Sequence, residues 1–308
     1  MTSDRDGRKE QIRVSRQWLD LLKQLPTDSG RVIVIGGSDT GKTTLCRWLL
    51  SKLPEQSRPA LVDSDIGQST VGPPACIGWR MAGRTDSQFT FTGDITPATH
   101  PTATVAGTCR AVFAAEAAGA NLVLLDTSGY LGGRGGFELK SAKLELLAPG
   151  PAAKRALHAI LIGDSPDIRR LMAGWYQDPR LTIHRIAQSE VLVQKTRQQR
   201  VEWRQQRFAE ALGGTDLRRI SLRNKQLIAI PGVTEMKAAG HEVSELEGLL
   251  VAFGDKQRWV TCLGLLQQLD VKAQEILVRA PQAAASAESI IFGTLRLTVE
   301  GLEIGRIT

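Results

Sequence analysis

Gly36-Gly37-Ser38-Asp39-Thr40-Gly41-Lys42-Thr43 is the stretch on which the reading of this chain turns. It fills the pattern G-x-x-x-x-G-K-[ST] without a mismatch. Before it lies the apolar run Arg31-Val-Ile-Val-Ile-Gly36, read as a buried strand of a parallel sheet, and after it a helix from Thr43 to Leu53. Strand, glycine turn and helix N-terminus in that order make a phosphate cradle. Glycines let successive N–H groups point inward, and the helix dipole adds positive potential. Lys42 reaches the β- and γ-phosphates and the Thr43 hydroxyl is placed to ligate Mg²⁺. Gly37, Ser38, Asp39, Thr40, Gly41, Lys42, Thr43 and Thr44 are therefore the expected nucleotide-binding residues. The motif is silent on what accepts the phosphoryl group.

Outward from this loop, apolar runs alternate with helical stretches. Strands are expected at Pro59–Asp63, Asn121–Asp126, Leu157–Gly163 and Leu181–Ile186, with a further strand at Gln88–Thr92 in a loop-rich segment. Helices are expected at 8–25, His100–Ala120, Glu138–Leu147, Pro166–Tyr176 and Val193–Leu212. The alternation predicts an α/β fold, a parallel sheet flanked by helices on both faces. After Gly213-Gly214 the pattern changes to short β-rich runs: Leu217–Leu222, Leu227–Ile230, Leu249–Phe253, Trp259–Leu266, Val271–Val278, Ser289–Leu297 and Leu302–Ile307. These predict a small β-barrel or sandwich. The expected organisation is an N-terminal helix in 1–30, a P-loop domain in 31–213 and a β-rich domain in 214–308, with a loop at Ala283–Ala287.

Composition narrows the class. The chain has 308 residues, 42 % apolar and 23 % charged, which suits a globular protein and excludes general disorder. Lys and Arg outnumber Asp and Glu by 39 to 32, a net +7 that permits an anionic partner without demanding one. The four cysteines, Cys46, Cys76, Cys109 and Cys262, lack metal-site spacing and are expected to be reduced thiols of a cytoplasmic protein. No apolar stretch is long enough to predict a membrane span.

Two acidic strand ends supply the carboxylates that phosphoryl transfer needs. One is Asp63-Ser64-Asp65-Ile-Gly67-Gln68 and the other Asp126-Thr127-Ser128-Gly129. Asp65 is placed to take a proton from an acceptor hydroxyl, with Asp63 or Asp126 on the magnesium side. An aspartate at a strand end also serves as a turn cap, so the division of roles stays open. Arg197, Arg200, Arg204 and Arg207 fall within an arc of about 80° on a helix. From 185 to 225, ten basic residues face four acidic ones, supplying +6 of the net +7. A single-sign stripe repels itself and calls for an anion, either a triphosphate or a nucleic-acid backbone. The other reading is a solvated helix face.

Taken in order, these segments resemble the Clp1/Grc3 family of polynucleotide 5′-hydroxyl kinases. The P-loop running into Leu45-Cys46-Arg47-Trp48-Leu49 resembles its Walker A segment, and Asp63-x-Asp65-x-Gly67-Gln68 with Pro73-Pro74 is similar to its D-x-D-x-G-Q motif. Phe91-Thr-Gly93-Asp94-Ile-Thr96-Pro97 resembles the family's substrate clasp, and Asp126-Thr-Ser-Gly129-Tyr130 its (N/D)-T-x-G-W segment. Arg200-x-x-x-Arg204 falls where lid arginines lie. The resemblance implies ATP and Mg²⁺ as cofactors, Lys42, Asp65, Arg200 and Arg204 as catalytic residues, and Thr43, Asp63 and Asp126 near the metal. It implies Gln68, Thr96, His100 and Tyr130 on the substrate side, and a 5′-hydroxyl end of RNA or DNA, single-stranded, as partner. Tyr130 replaces the usual stacking tryptophan, and His100 falls where eukaryotic relatives carry an asparagine, which leaves RNA against DNA open. The short stretch before the P-loop is expected of a compact prokaryotic form. Two other readings remain: a nucleotide-dependent switch or assembly factor for RNA processing with little catalysis, and a small-molecule kinase.

Overall fold

The computed structural model describes residues 14–150, 155–189, 194–229, 246–270 and 272–307. The parts of the expected elements at 8–13, 193, 230 and 271 lie outside them.

Five strands form the parallel body of the first sheet: β1 (Gly30–Gly36), β2 (Ala60–Ser64), β5 (Leu122–Thr127), β6 (Ala156–Ile162) and β7 (Leu181–Ile186). A hairpin of β3 (Cys76–Met81) and β4 (Gln88–Phe91) pairs antiparallel to the edge of β2, giving the order β4-β3-β2-β5-β1-β6-β7. Burial on both faces explains the continuous apolar runs. Ile33 and Ile35 point into one core with residues of α3 (Pro101–Ala117), α4 (Gly133–Leu147) and α5 (Pro166–Met172). Val32 and Val34 point into another with α1 (Arg16–Gln24) and α2 (Lys42–Lys52). The strand order sets β5 beside the P-loop strand β1 and β2 beside β5, with Asp63 directly opposite Asp126.

Differences from the sequence expectation have local causes. Helix α4 starts at Gly133 rather than Glu138, because a glycine-rich first turn can lie on the Leu131 backbone: a Cβ on Gly136 would sit 2.5 Å from the Leu131 carbonyl carbon. Helix α6 (Arg197–Leu212) starts at a capping box of Thr196 and Gln199. Helix α5 ends at Met172, short of Tyr176.

The remaining strands are β8 (Asp216–Ser221), β9 (Gln226–Ala229), β10 (Leu249–Gly254), β11 (Val260–Asp270), β12 (Glu275–Ala280), β13 (Ser289–Leu297) and β14 (Glu303–Arg306). Among the described residues they form one seven-stranded sheet, not two stacked ones, in the order β14-β13-β10-β11-β12-β8 with β9 parallel to β13. β11 is longer and β12 starts later than the sequence suggests, since the Asp270 carboxylate caps the intervening turn through the Ala273 N–H at 2.8 Å. Ala283–Ala287, expected as a loop, overlaps a 3₁₀ turn over Gln282–Ser286.

This sheet is also buried on both faces. Leu249, Val251 and Phe253 lie in a core of its own. Leu250 and Ala252 face a shared core, which takes in Phe91 at the end of β4, Ile95 after it, and Phe208 and Leu212 of α6. The arginine helix is thus rooted in the second sheet. Phe208 is fully buried at that root, so Phe208→Ala is expected to cost about 3–5 kcal/mol by denaturant titration.

Candidate active site

At the end of β1 the chain turns through Asp39 at φ 55° and Gly41 at φ 87°, left-handed residues that curl the loop into a ring of N–H groups. Lys42 Nζ donates to the Gly37 carbonyl at 2.5 Å and Thr40 Oγ1 to the same oxygen at 2.9 Å. Thr44 follows Thr43 on the first turn of α2. The segment that leaves β5 closes on the loop: a Cβ on Gly129 would lie 2.5 Å from Ser38 N, so only glycine lets the Asp126–Gly129 segment lie there.

The three aspartates occupy different environments. Asp126 Oδ2 accepts from the Thr43 hydroxyl at 2.6 Å, while its buried Oδ1 has no hydrogen-bond partner. Burial, then repulsion from Asp63, pushes its carboxyl up to about 7. Asp63 is saturated. Its Oδ2 accepts from Thr70 N at 2.5 Å, Thr70 Oγ1 at 3.0 Å, Val71 N at 3.1 Å and Ser69 Oγ at 3.5 Å, and its Oδ1 from Asp65 N at 3.1 Å. That occupancy makes Asp63 the organiser of the 65–71 turn, whereas Asp126 keeps a buried oxygen without a partner. Asp65, half-buried, uses Oδ1 to receive Gly67 N and Gln68 N at 3.2 and 3.1 Å, and its Oδ2 makes no hydrogen bond with described residues.

A hard divalent cation takes oxygen donors and keeps several waters. The unpartnered Asp126 Oδ1 beside the Thr43 hydroxyl suits such an ion, its remaining ligands coming from phosphate and water. No group of three or more His, Cys, Asp and Glu among the described residues is arranged to hold an ion alone.

Two lysines absent from the sequence expectation complete the centre. Lys140 and Lys143 on α4 are both 0 % exposed. Lys140 Nζ donates to the Ser128 carbonyl at 2.7 Å, and Lys143 Nζ to Ser64 Oγ at 2.6 Å, between Asp63 and Asp65. Burial lowers the ammonium of Lys42, that of Lys143 to about 8 and that of Lys140 further, while Asp65 and Asp126 oppose all three. Three lysines therefore lie among three aspartates, with burial disfavouring their charge and the carboxylates favouring it. The sequence signal was Lys140-x-x-Lys143 flanked by Leu139 and Leu144, which puts two cations on a core-facing helix stripe.

The four arginines share a face as expected, but the protein itself supplies anions for three. Arg200 Nη2 meets Asp39 of the P-loop at 2.5 Å, Arg204 Nε meets Glu303 at 2.8 Å, and Arg207 meets Glu210 at 2.7 Å. Gln68 ties the D-x-D-x-G-Q turn to this helix, its Nε2 lying 3.4 Å from the Arg200 carbonyl. Thr96 is half-buried, and its N–H donates to Asp94 Oδ1 at 3.3 Å. The His100 ring shares a hydrogen bond with Thr294 Oγ1 of the second sheet at 2.8 Å. Tyr130 is half-buried over the glycine turn of α4, where a Cβ on Gly135 would meet its hydroxyl.

Comparison with known proteins converges on one family. The family model described as mRNA cleavage and polyadenylation factor CLP1 P-loop matches residues 36–212. A polyribonucleotide 5′-hydroxyl-kinase of Pyrococcus abyssi is 27 % identical over 89 % of this chain and 90 % of its own length. A protein of the same name from Pyrococcus furiosus is 36 % identical over 39 % of this chain and 36 % of its own. Among solved structures, Clp1p in complex with Pcf11p shares the fold at TM-score 0.64 and 13 % identity, covering 91 % of this chain and 78 % of that one. With more than half of its residues matched by the family model, and the P-loop, acidic strand ends and arginine helix all inside the match, the chain belongs to the Clp1 P-loop family.

Proposed function

We propose that this protein transfers the γ-phosphate of ATP to the 5′-hydroxyl end of single-stranded RNA or DNA. The observation that carries the reading is the meeting of Lys42, the Thr43–Asp126 pair and Asp65 at one end of the sheet, with Arg200 lying on the P-loop. The name of the Pyrococcus abyssi relative, similar along most of this chain, points to the same activity.

The loop N–H groups and Lys42 hold the β- and γ-phosphates. Lys42 leaves the Gly37 carbonyl to do so, and Arg200 turns from Asp39 to the phosphates. Thr43 and Asp126 would hold Mg²⁺, which would supply charge neutralisation to the triphosphate. Asp65 uses its free Oδ2 to accept the proton of the 5′-hydroxyl as that oxygen attacks phosphorus. Arg200 and Arg204 steady the charge spread over the transferring group. Gln68, Thr96, His100 and Tyr130 line the acceptor side, Tyr130 offering a ring for a base to stack on.

The direct test is transfer from γ-labelled ATP to 5′-hydroxyl RNA and DNA of equal sequence. Transfer is expected in the wild type and lost in Lys42→Ala. Asp65→Asn is expected to lower kcat by about 100-fold or more while ATP still binds. Nucleotide binding without transfer to either acceptor would favour the switch reading.

Asp126 gives a pH dependence of known sign. Its folded pKa of about 7 lies above the usual 3.8. Between those values the folded, ligand-free protein binds more protons than the unfolded chain, so its stability falls as pH rises through that window. Asp126→Asn is expected to raise the melting temperature of the ligand-free protein at pH 8 and to leave it unchanged near pH 4. Mg²⁺-dependent nucleotide affinity, which needs the carboxylate, runs the other way in the wild type and strengthens from pH 6 to 8. Calorimetry checks both.

A further inference from the structure

The second sheet carries none of the motifs, yet its edge strand β14 reaches two parts of the centre. Arg306 forms a two-pronged ion pair with Asp94, Nε to Oδ2 at 2.7 Å and Nη2 to Oδ1 at 3.1 Å. Asp94 is 0 % exposed. Its carboxylate also receives Ile95 N at 2.6 Å, Thr96 N at 3.3 Å and Thr99 Oγ1 at 3.2 Å. One buried carboxylate thus shapes the 94–99 turn, and Arg306 is its only ion-pair partner among the described residues. Three residues earlier on the same strand, Glu303 pairs with Arg204 of α6.

On a regular strand, residues three apart point to opposite faces. Here the register breaks. Leu297 pairs with Glu303, Arg296 with Gly305 and Leu295 with Arg306, so Ile304 is an extra residue in β14. Leu295 and Leu297 share a face, and both belong to the core that also holds Phe91, Ile95 and Phe208. Their partners Arg306 and Glu303 therefore lie on that face too, towards the clasp-like segment and α6. A bulge beside a site commonly re-aims a side chain in this way. β13 adds to the contact: Thr294 N and Leu295 N donate to the Gly93 carbonyl at 3.0 and 3.3 Å, and Thr294 Oγ1 bonds His100. The 93–100 segment is fixed to the second sheet at both ends.

We infer that the bulged strand β14 belongs to the acceptor side of the site, with Arg306 a positioning residue for the 94–100 segment through Asp94 and Glu303 a positioning residue for Arg204. The inference rests on the kinase reading above for its functional consequence and on geometry alone for the brace. The contact that Arg306 makes is with Asp94. It acts by neutralising Asp94, which otherwise would be a buried, uncompensated charge that the turn could not keep in place.

The test compares the full-length wild type with Arg306→Gln, Arg306→Lys and Glu303→Gln, using ATP and a 5′-hydroxyl RNA oligonucleotide. Arg306→Gln is expected to raise KM for RNA about tenfold while KM for ATP stays within about twofold, since loss of a charge-assisted hydrogen bond is worth roughly that factor. Arg306→Lys recovers most of the loss, because a cation returns to Asp94. Glu303→Gln lowers kcat with both KM values kept. Equal rises in both KM values, or no change in any variant, overturn the assignment. Hydrogen exchange of the 94–100 amides separates this inference from the kinase reading. Faster exchange there in Arg306→Gln, at an unchanged global unfolding midpoint, supports the brace even if the wild type transfers no phosphate, a result that would sink the kinase reading alone. Unchanged exchange overturns the brace whatever the activity. Should Arg306→Gln lower global stability as well, exchange is read at a temperature where both proteins are fully folded, and failure of Arg306→Lys to return the 94–100 amides towards wild-type exchange overturns the brace.

Discussion

Asp63 and Asp126 stand opposite each other on neighbouring parallel strands, both almost wholly out of water. Two like charges so placed, with Asp65 two residues on, could not remain in a core unless something offset them. The offset comes in three forms. Asp63 is satisfied by backbone N–H groups of the turn it organises. Asp126 is met by Thr43 and keeps its proton to an unusually high pH. Lys140 and Lys143 bring buried cations from α4 to the serines beside these aspartates. The P-loop threonine, the turn after β2 and helix α4 thus meet one electrostatic constraint from three sides.

The second sheet enters the same arrangement through packing. Its face carrying Leu250, Ala252, Leu295 and Leu297 is the surface on which both α6 and the segment after β4 are built. Helix α6 contributes Phe208 and Leu212 to this core while presenting Arg200 to the P-loop. Sheet, arginine helix and clasp-like segment are therefore not independently placed.

What the sequence discloses divides by distance. The parallel strands were legible because burial on both faces leaves uninterrupted apolar runs. The P-loop and the D-x-D-x-G-Q turn were legible because their chemistry lies within a few consecutive residues. The common face of the arginines followed from their spacing, but the anions opposite them did not. Asp39 precedes Arg200 by 161 positions and Glu303 follows Arg204 by 99. The Arg306–Asp94 pair spans 212 positions, and no local pattern announces it. The shift of α4 to Gly133 escaped for a different reason: helix propensity counts glycine as a cost, whereas here the absent side chains are what allow the turn to lie on Leu131.

The rooting of α6 makes the helix a lever. Phe208 lies eight residues beyond Arg200, about 12 Å along the axis at 1.5 Å per residue. With Phe208 and Leu212 fixed in the shared core, a tilt of only about 10° about that root carries the Arg200 end roughly 2 Å sideways at that arm length. That displacement is the difference between a closed ion pair and a broken one. The Arg200–Asp39 contact thus depends on the angle of the helix and not only on its folding.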